Sequence, residues 1–552
     1  MNELHRISAD AVLRSAAPPL HRVERVIERR PEEAGGEQLR VLTALRPELG
    51  WPRAWAWLPV REDAQVGRYL PLDPAAPLRE QVHLQAFAPQ PGEPGDALRT
   101  SLPLAWLPAA AGTGLLCLFV YADEREQRVE GVHDKPELET ALRSALAADL
   151  VALRHAFVTR PADDADAGAL SFVFSACQFP PGVLDNLQGA ERDPRRAGPA
   201  DASMARLVAL ARSHPAGADI SLLLLAGDQI YADSSGGVAD AANSVDRYAL
   251  PYRSFKAGLA RHLPPTLERI VHAPDDHEIV DNWEPTLRSD GSWDHGPWAK
   301  EAFAAAWAAR WEPGERDGVF EHFWHAFDWR GASFFIGDTR TEREPRPLAR
   351  LAGAQIISAA QREAFAQWLA RSTAAGRPRF VLTGSLLLPR RLATAEHAAS
   401  ALHSDAWDGY PASLHWLLGE LWRQRATNVV FLSGDEHRSG FVSASIARAD
   451  GAEPERAVQL HSIHSSALYA PWPFAVTQAE EFAAPERFVF AGPEGVELSC
   501  SVSAWADHPG DGFALLRRQG DTLALWFDRE SRALHESTGS LPPPDAQLPL
   551  SR

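Results

Sequence analysis

The stretch ISLLLLAGDQIY, Ile220 to Tyr231, decides how this chain is read. Leu222 to Leu225 are apolar without alternation, Gly227-Asp228 closes the run, and Tyr231 follows three residues later. A strand that is apolar at successive positions has both faces buried, so helices or a second sheet must cover it. An amphipathic helix precedes it, marked by Met204, Leu207, Val208 and Leu210. The same order recurs twice. Ser358 and Gln361 form a capping-box pattern ahead of Phe365, Trp368 and Leu369; Gly376 and Pro378 stop that helix, and Phe380 to Leu382 follows as strand. Leu414, Leu417, Leu418, Leu421 and Trp422 line a third helix before Val429 to Leu432 and Gly434-Asp435. This repetition predicts an α/β fold, with helices over a central sheet or pair of sheets and ligands where strands end. Toward the C-terminus, Val496 to Val502, Phe513 to Leu516 and Leu523 to Phe527 read as antiparallel strands, the last two joined by a turn at 518–521.

Outward from that core, segments around Leu39 to Leu45 and Leu115 to Tyr121 read as strands. Leu138, Leu142, Leu146, Leu150 and Leu153 predict a helix from about Pro136 to Phe157. The polar stretch Arg160 to Gly168 reads as a linker. It divides an N-terminal accessory region, 1–165, rich in β and without visible chemistry, from a catalytic domain, 166–552.

The chain has 552 residues and a net charge of −18, which disfavours a nucleic-acid polymer as partner. Paired arginines such as Arg390-Arg391 are too few to track a backbone. No apolar run approaches the roughly 20 residues that span a bilayer, and Met1 to Arg14 has no basic segment leading into an apolar one. A cytoplasmic protein with no membrane partner is expected. Cys117, Cys177 and Cys500 are too few and too far apart for a disulfide framework.

Five strand ends carry polar groups. Phe172 to Ser175 leads to Cys177, and Leu222 to Leu225 leads to Asp228 and Tyr231. Ile270-Val271 precedes Asp275-Asp276-His277-Glu278 and Asn282. Phe334 to Ile336 precedes Asp338-Thr339-Arg340, and Val429 to Leu432 precedes Asp435 and His437. Singly, each has a structural reading: Cys177 as a small buried hydrophobe, Asp228 as a helix cap, His277 as a satisfied core histidine. Together they read as a metal site, because crowded carboxylates repel and cations relieve them. Thiolate and phenolate suit a ferric ion; carboxylate, amide and imidazole suit calcium, manganese, magnesium or zinc. Two metals roughly 3.5–4 Å apart can arm a water and neutralise a phosphoryl group.

Gly227-Asp228-Gln229-Ile230-Tyr231, Asp275-Asp276-His277-Glu278 and Ser433-Gly434-Asp435-Glu436-His437 resemble the calcineurin-like metallophosphoesterases, and within them the PhoD-like alkaline phosphatase and phosphodiesterase branch. Ser175-Ala176-Cys177-Gln178, Asp338-Thr339-Arg340 with Arg343, and Asp405 to Pro411 extend the match over about 171–474. The cysteine segment stands where many relatives have an aspartate-x-histidine, and Asp435 with His437 replaces their two-histidine ending; both changes fit the PhoD-like branch. Secreted members carry an export signal that is not seen here.

The resemblance implies a four-layer α/β/β/α sandwich and a dinuclear or larger centre, Fe3+ with Ca2+ or another divalent ion (Mn2+, Mg2+ or Zn2+). Cys177, Asp228, Tyr231 and Asp435 would hold the iron. Asp228 would bridge to a site completed by Asp276, Asn282 and His437. His277 would serve the leaving group, oriented by Asp275 or Glu278. Arg340 is either a phosphate clamp or a structural partner of Asp338 or Asp408, and Asp408 and Tyr410 shape the pocket wall. The expected activity is hydrolysis of a small phosphomonoester or phosphodiester by a metal-bound hydroxide. The alternative is a metal-holding binding or regulatory protein without turnover.

Overall fold

The computed structural model is described over residues 170–180, 202–214, 219–234, 241–252, 269–309, 322–471, 478–537 and 539–550, together with 23–28, 38–44, 54–63, 68–73, 81–86, 97–110, 113–120, 152–159 and isolated positions between these. The chain forms two compact units. One comprises 1–162 with 256–269 and 311–318; the other comprises 163–255, 270–310 and 319–552.

Among the described residues the first unit holds two sheets. Val23–Glu28, Gln38–Ala44 and Ala97–Pro103 make an antiparallel three-stranded sheet; Ala54–Asp63 pairs with Arg68–Pro71, His83–Ala86 and Thr113–Val120 in a five-stranded one. Ala152–Thr159, the fifth strand, lies antiparallel to Thr113–Val120. It corrects the helix expected to run to Phe157, whose remaining residues, like the linker 160–168, lie outside those described. Leu150 and Leu153 have helical spacing, but a short run cannot choose its period locally, and pairing with a neighbouring strand decides.

The second unit is built on two larger sheets. Its principal elements are β1 (Ser171–Gln178), α1 (Ala202–Ser213), β2 (Leu222–Leu225), β3 (Arg269–His272), β4 (Ala332–Ile336), α2 (Ala359–Ala374), β5 (Arg379–Thr383), α3 (Pro411–Arg423), β6 (Val429–Ser433), β7 (Arg438–Arg448), β8 (Val458–His464), β9 (Gly512–Gln519) and β10 (Thr522–Arg529). One sheet runs β3-β2-β1-β9-β10 and ends on Ala546–Pro549; Ala467–Tyr469 also pairs with β1. The other runs His325–Trp329, β4, β5, β6, β8, β7, Glu497–Val502, Glu486–Ala491, with Ala506–Pro509 beside β7. β1 and β2 are parallel, as are β4, β5, β6 and β8.

Strand alternation sorts the apolar residues into layers. Phe334, Ile336, Phe380, Leu382, Val430 and Leu432 face inward against Phe172, Phe174, Leu222 and Leu224. Phe172 meets Phe334 edge-on at 5.6 Å and Phe380 at 5.1 Å. Phe335, Val381 and Phe431 face outward, under Phe365, Trp368 and Leu369 of α2 and Leu414, Leu417, Leu418 and Leu421 of α3. α1 packs on β9 and Ala467–Tyr469 of the other sheet. The layers are α/β/β/α, and both faces of the central strands are buried, as their unbroken apolar runs require.

Ser358 caps α2 as expected, accepting from Gln361 N at 3.1 Å. The return half of the capping box is absent. Gln361 turns instead to the loop after β4, accepting from Asp338 N at 2.8 Å and donating to Asp338 O at 2.9 Å, while Glu342 takes the Ser358 N–H at 3.3 Å. A helix cap thus braces a strand-end loop. Cys117, Cys177 and Cys500 are free and buried. Among the described residues no helix is long and apolar enough to cross a membrane.

Candidate metal centre

The strand ends are tied to one another before any side chain is considered. Cys177 N donates to Gly227 O at 3.0 Å, Gln178 N to Asp228 O at 2.9 Å, Ala273 N to Leu225 O at 2.9 Å and Gly434 N to Gly384 O at 3.0 Å. Two of these approaches demand glycine. A Cβ on Gly227, whose φ is +106°, would lie 2.3 Å from Asp275 Cβ; one on Gly434 would lie 2.3 Å from Ala176 Cβ. The Glu278 carboxylate clasps two loops at once, accepting from Gln229 N at 2.8 Å, Asp275 N at 2.9 Å and Asp228 N at 3.2 Å.

Into this frame project the expected side chains. Ligand atoms of Cys177, Asp228 and His437 lie within 4.8 Å of one another, as do those of Asp228, Asp276 and His277, and of Asp228, Asp275, Asp276 and Asp435. Asp228 belongs to all three groups. Cys177 Sγ is 3.3 Å from Asp228 Oδ2, and Tyr231 OH is 3.3 Å from His437 Nε2. His437 stands with Cys177 and Tyr231, and Asp435 with Asp276. Asn282 touches the cluster through its backbone, its N–H donating to Asp276 Oδ2, and the residue itself is exposed. Cys177, Asp228, Asn282, Asp435 and His437 all have φ between 53° and 82°, five of the ten non-glycine residues with positive φ among those described. Such conformations cost of order 1–3 kcal/mol each and persist where surrounding structure imposes them.

Electrostatics state what the cluster lacks. Burial first, then mutual repulsion, pushes Asp228, Asp435 and the Cys177 thiol well above their usual ranges, and the Tyr231 hydroxyl likewise. Asp275 is pushed up to about 8 despite Arg340, and Glu278 to about 7. Asp275 Oδ2 is buried with no hydrogen-bond partner. One arginine cannot balance four carboxylates, a thiol and a phenol, whereas two or more cations can, so the donor set fits a multi-metal centre.

This crowding has a pH signature once metal is stripped. Asp275 and Glu278 have folded-state values above the usual 3.8 and 4.5. The stability they contribute is whole below about pH 4 and is lost as pH rises through about 7 and 8. The gap in melting temperature between metal-loaded and chelated protein should therefore widen from pH 5 to pH 8 in differential scanning fluorimetry. A gap that narrows would show that these carboxylates are not crowded.

Arg340 is enclosed, with 0% of its side chain exposed, and is paired with Asp275 and, at 2.6 Å, with Asp405; Asp276 and Asp435 lie at 3.5 and 3.6 Å. Neither expected partner holds its guanidinium: Asp338 accepts from the backbone N–H of Arg340, at 3.0 Å, and from Thr341, and Asp408 binds Ser404 and the backbone of Arg391. Arg340 and Arg343, outweighing burial, hold Asp405 well below the carboxylate range. Arg343 and Arg346 lie 5.4 and 4.4 Å from the Tyr410 ring centre, and Arg346 also bonds Ala401, Ser404 and Gly409 carbonyls, so these arginines shape the wall.

His277 stacks on Tyr231 at 4.3 Å. Its Nδ1 lies 2.9 Å from Asp233 Oδ1, and Asp233 is fixed in turn by Asp281 N at 2.7 Å. The orienting partner is Asp233, not Asp275 or Glu278, because Arg340 engages the first and three backbone N–H groups the second. His277 Nε2 points toward Asp281, 3.8 Å away and 65% exposed. Although burial lowers it, Asp276, Asp228 and Asp233 drive the His277 pKa well above its usual value. Asp233, five residues after Asp228, escaped the sequence reading; a second aspartate in Gly227-Asp228-x-x-x-x-Asp233 was the available signal.

Residues 205–471 match the family described as PhoD-like phosphatase. The chain carries a PhoD-like phosphatase domain. That domain supports a metal-dependent phosphoesterase with a centre of more than one metal, which the donor set fits. Among solved structures it is similar to one titled "Structure of PhoD", with 13% identity and a TM-score of 0.52 over 97% of this chain and 90% of that one, a likeness of fold. Two further likenesses are to GAP50, the anchor in the inner membrane complex of Plasmodium (9% identity, TM-score 0.31, 70% of this chain and 89% of that one), and a dimetal phosphatase from Danio rerio (12%, 0.33, 65% and 95%). No curated protein matches this PhoD-like chain.

Proposed function

We propose that this PhoD-like phosphatase hydrolyses small phosphomonoesters, phosphodiesters or both, at a centre holding iron and a divalent ion. The observation that carries the reading is the convergence of Cys177, Asp228, Asp276, Asp435 and His437, with His277 beside them. Cys177, Asp228 and Tyr231 would hold a ferric ion, since thiolate and phenolate suit it. Asp228 and Asp276, with Asn282, would hold a divalent ion such as calcium, Asp435 and His437 completing the two sites. Bound metals would supply Lewis acidity there and lower the pKa of a water from about 15.7 to about 7.

The chain's own groups do the rest. Asp233 holds His277 Nδ1, which leaves Nε2 to give a proton to the departing oxygen. Arg340, fixed among Asp275, Asp276, Asp405 and Asp435, keeps those carboxylates in place. We assign this work to residues 166–552 and an accessory role to 1–165.

The test is purified protein, analysed for metal, assayed on aryl phosphate mono- and diesters. Turnover that scales with metal content is expected. A metal-replete sample silent on both esters would overturn the proposal in favour of a binding protein without turnover.

A further inference from the structure

We propose that Arg391 binds the phosphoryl oxygens of the substrate at the rim of the metal centre, an inference that rests on the phosphoester reading above. Arg390 and Arg391 are neighbours in sequence, yet their side chains part. Arg390 gives Glu486 two bonds, Nε at 3.1 Å and a second from Nη2, and lies over Phe488 at 4.0 Å. Arg391 turns to the loop after β6, where Nη2 donates to Glu436 Oε1 at 2.6 Å; Glu436 sits between Asp435 and His437. The Arg391 backbone N–H is fixed by Asp408 Oδ2 at 2.7 Å. Main chain and one guanidinium nitrogen are therefore anchored, Nε is itself buried without an acceptor, and 22% of the side chain as a whole is exposed.

The other arginines around the centre are committed. Arg340 is enclosed by carboxylates. Arg343 bonds the Thr339, Trp283 and Asp405 carbonyls, and Arg346 spends itself on Glu284 and three carbonyls. Of these five, Arg391 combines partial exposure of its side chain with a place beside the loop bearing Asp435, itself 17% exposed. Burial opposes its charge, but Glu436, Asp408, Asp405 and Asp435 more than restore it. A fixed fork of N–H donors suits phosphoryl oxygens that metals leave uncovered.

Titrating metal-loaded full-length chain with inorganic phosphate by calorimetry tests this with or without turnover. Arg391→Met should weaken phosphate binding and, with an aryl phosphate, lower kcat/KM by roughly 10–100-fold at unchanged metal content. Arg391→Lys, which keeps charge without the fork, should recover part of both. Glu436→Gln separates the roles: were Arg391 only a strut for the Asp435 loop, both Arg391→Met and Glu436→Gln would lose metal in step with activity. That result would overturn the inference, as would Arg391→Met binding phosphate like the wild type, or a metal-loaded wild type that binds none. Phosphate binding lost in Arg391→Met alone, even from a chain silent on esters, would leave Arg391 standing and the hydrolytic reading fallen.

Discussion

Asp228→Asn should empty the metal centre and lower kcat/KM by at least about 10³-fold, the scale on which a principal electrostatic contributor is lost. Asp228 is common to every group of candidate ligands, with Oδ2 beside Cys177 and Oδ1 accepting from His277 N at 3.2 Å. Asparagine keeps the shape and removes one negative charge, so the loss is electrostatic rather than steric. Metal analysis and steady-state kinetics read both effects. A second consequence separates this account from simple misfolding. Because burial and Asp276 push Asp228 well above its normal range without metal, the chelated variant should melt no lower than the chelated wild type at pH 8. A variant that keeps its metal and its rate would remove Asp228 from the centre.

His277→Ala should produce the opposite separation, with metal retained and kcat reduced by about 10²- to 10⁴-fold, the usual contribution of a positioned general acid. Asp233→Asn should cost less, about 10–100-fold, since it disturbs only the ring's orientation and charge. If His277 gives a proton to the leaving oxygen, both losses shrink as the leaving group improves. Comparing an alkyl with a nitrophenyl phosphate reads this directly. Equal losses on the two substrates would assign His277 to holding the phosphoryl group instead.

Much of the fold was legible because its code is local. The apolar runs at Leu222 to Leu225, Phe380 to Leu382 and Val429 to Leu432 became β2, β5 and β6, and the stripes at Phe365 and Leu414 became α2 and α3. The strand Ala152–Thr159 departs from the expected helix because Leu153 satisfies both the helical spacing of the leucines before it and pairing with Phe119, and only the neighbouring strand chooses. Gln361 shows a finer limit: sequence marks a capping box, but the loop at Asp338 offers the amide both a donor and an acceptor.

By itself, then, the sequence determined which residues lie at strand ends and which types of donor they bring, since periodicity encodes burial and termini. Tertiary structure decided the partnerships: Tyr231 with His437, 206 residues apart, Arg340 with Asp275, 65 apart, and His277 with Asp233, 44 apart. Such pairings follow from how two sheets stack and which loops they bring together. A one-dimensional pattern of apolar and polar residues carries no term for that, because any buried carboxylate would satisfy it equally.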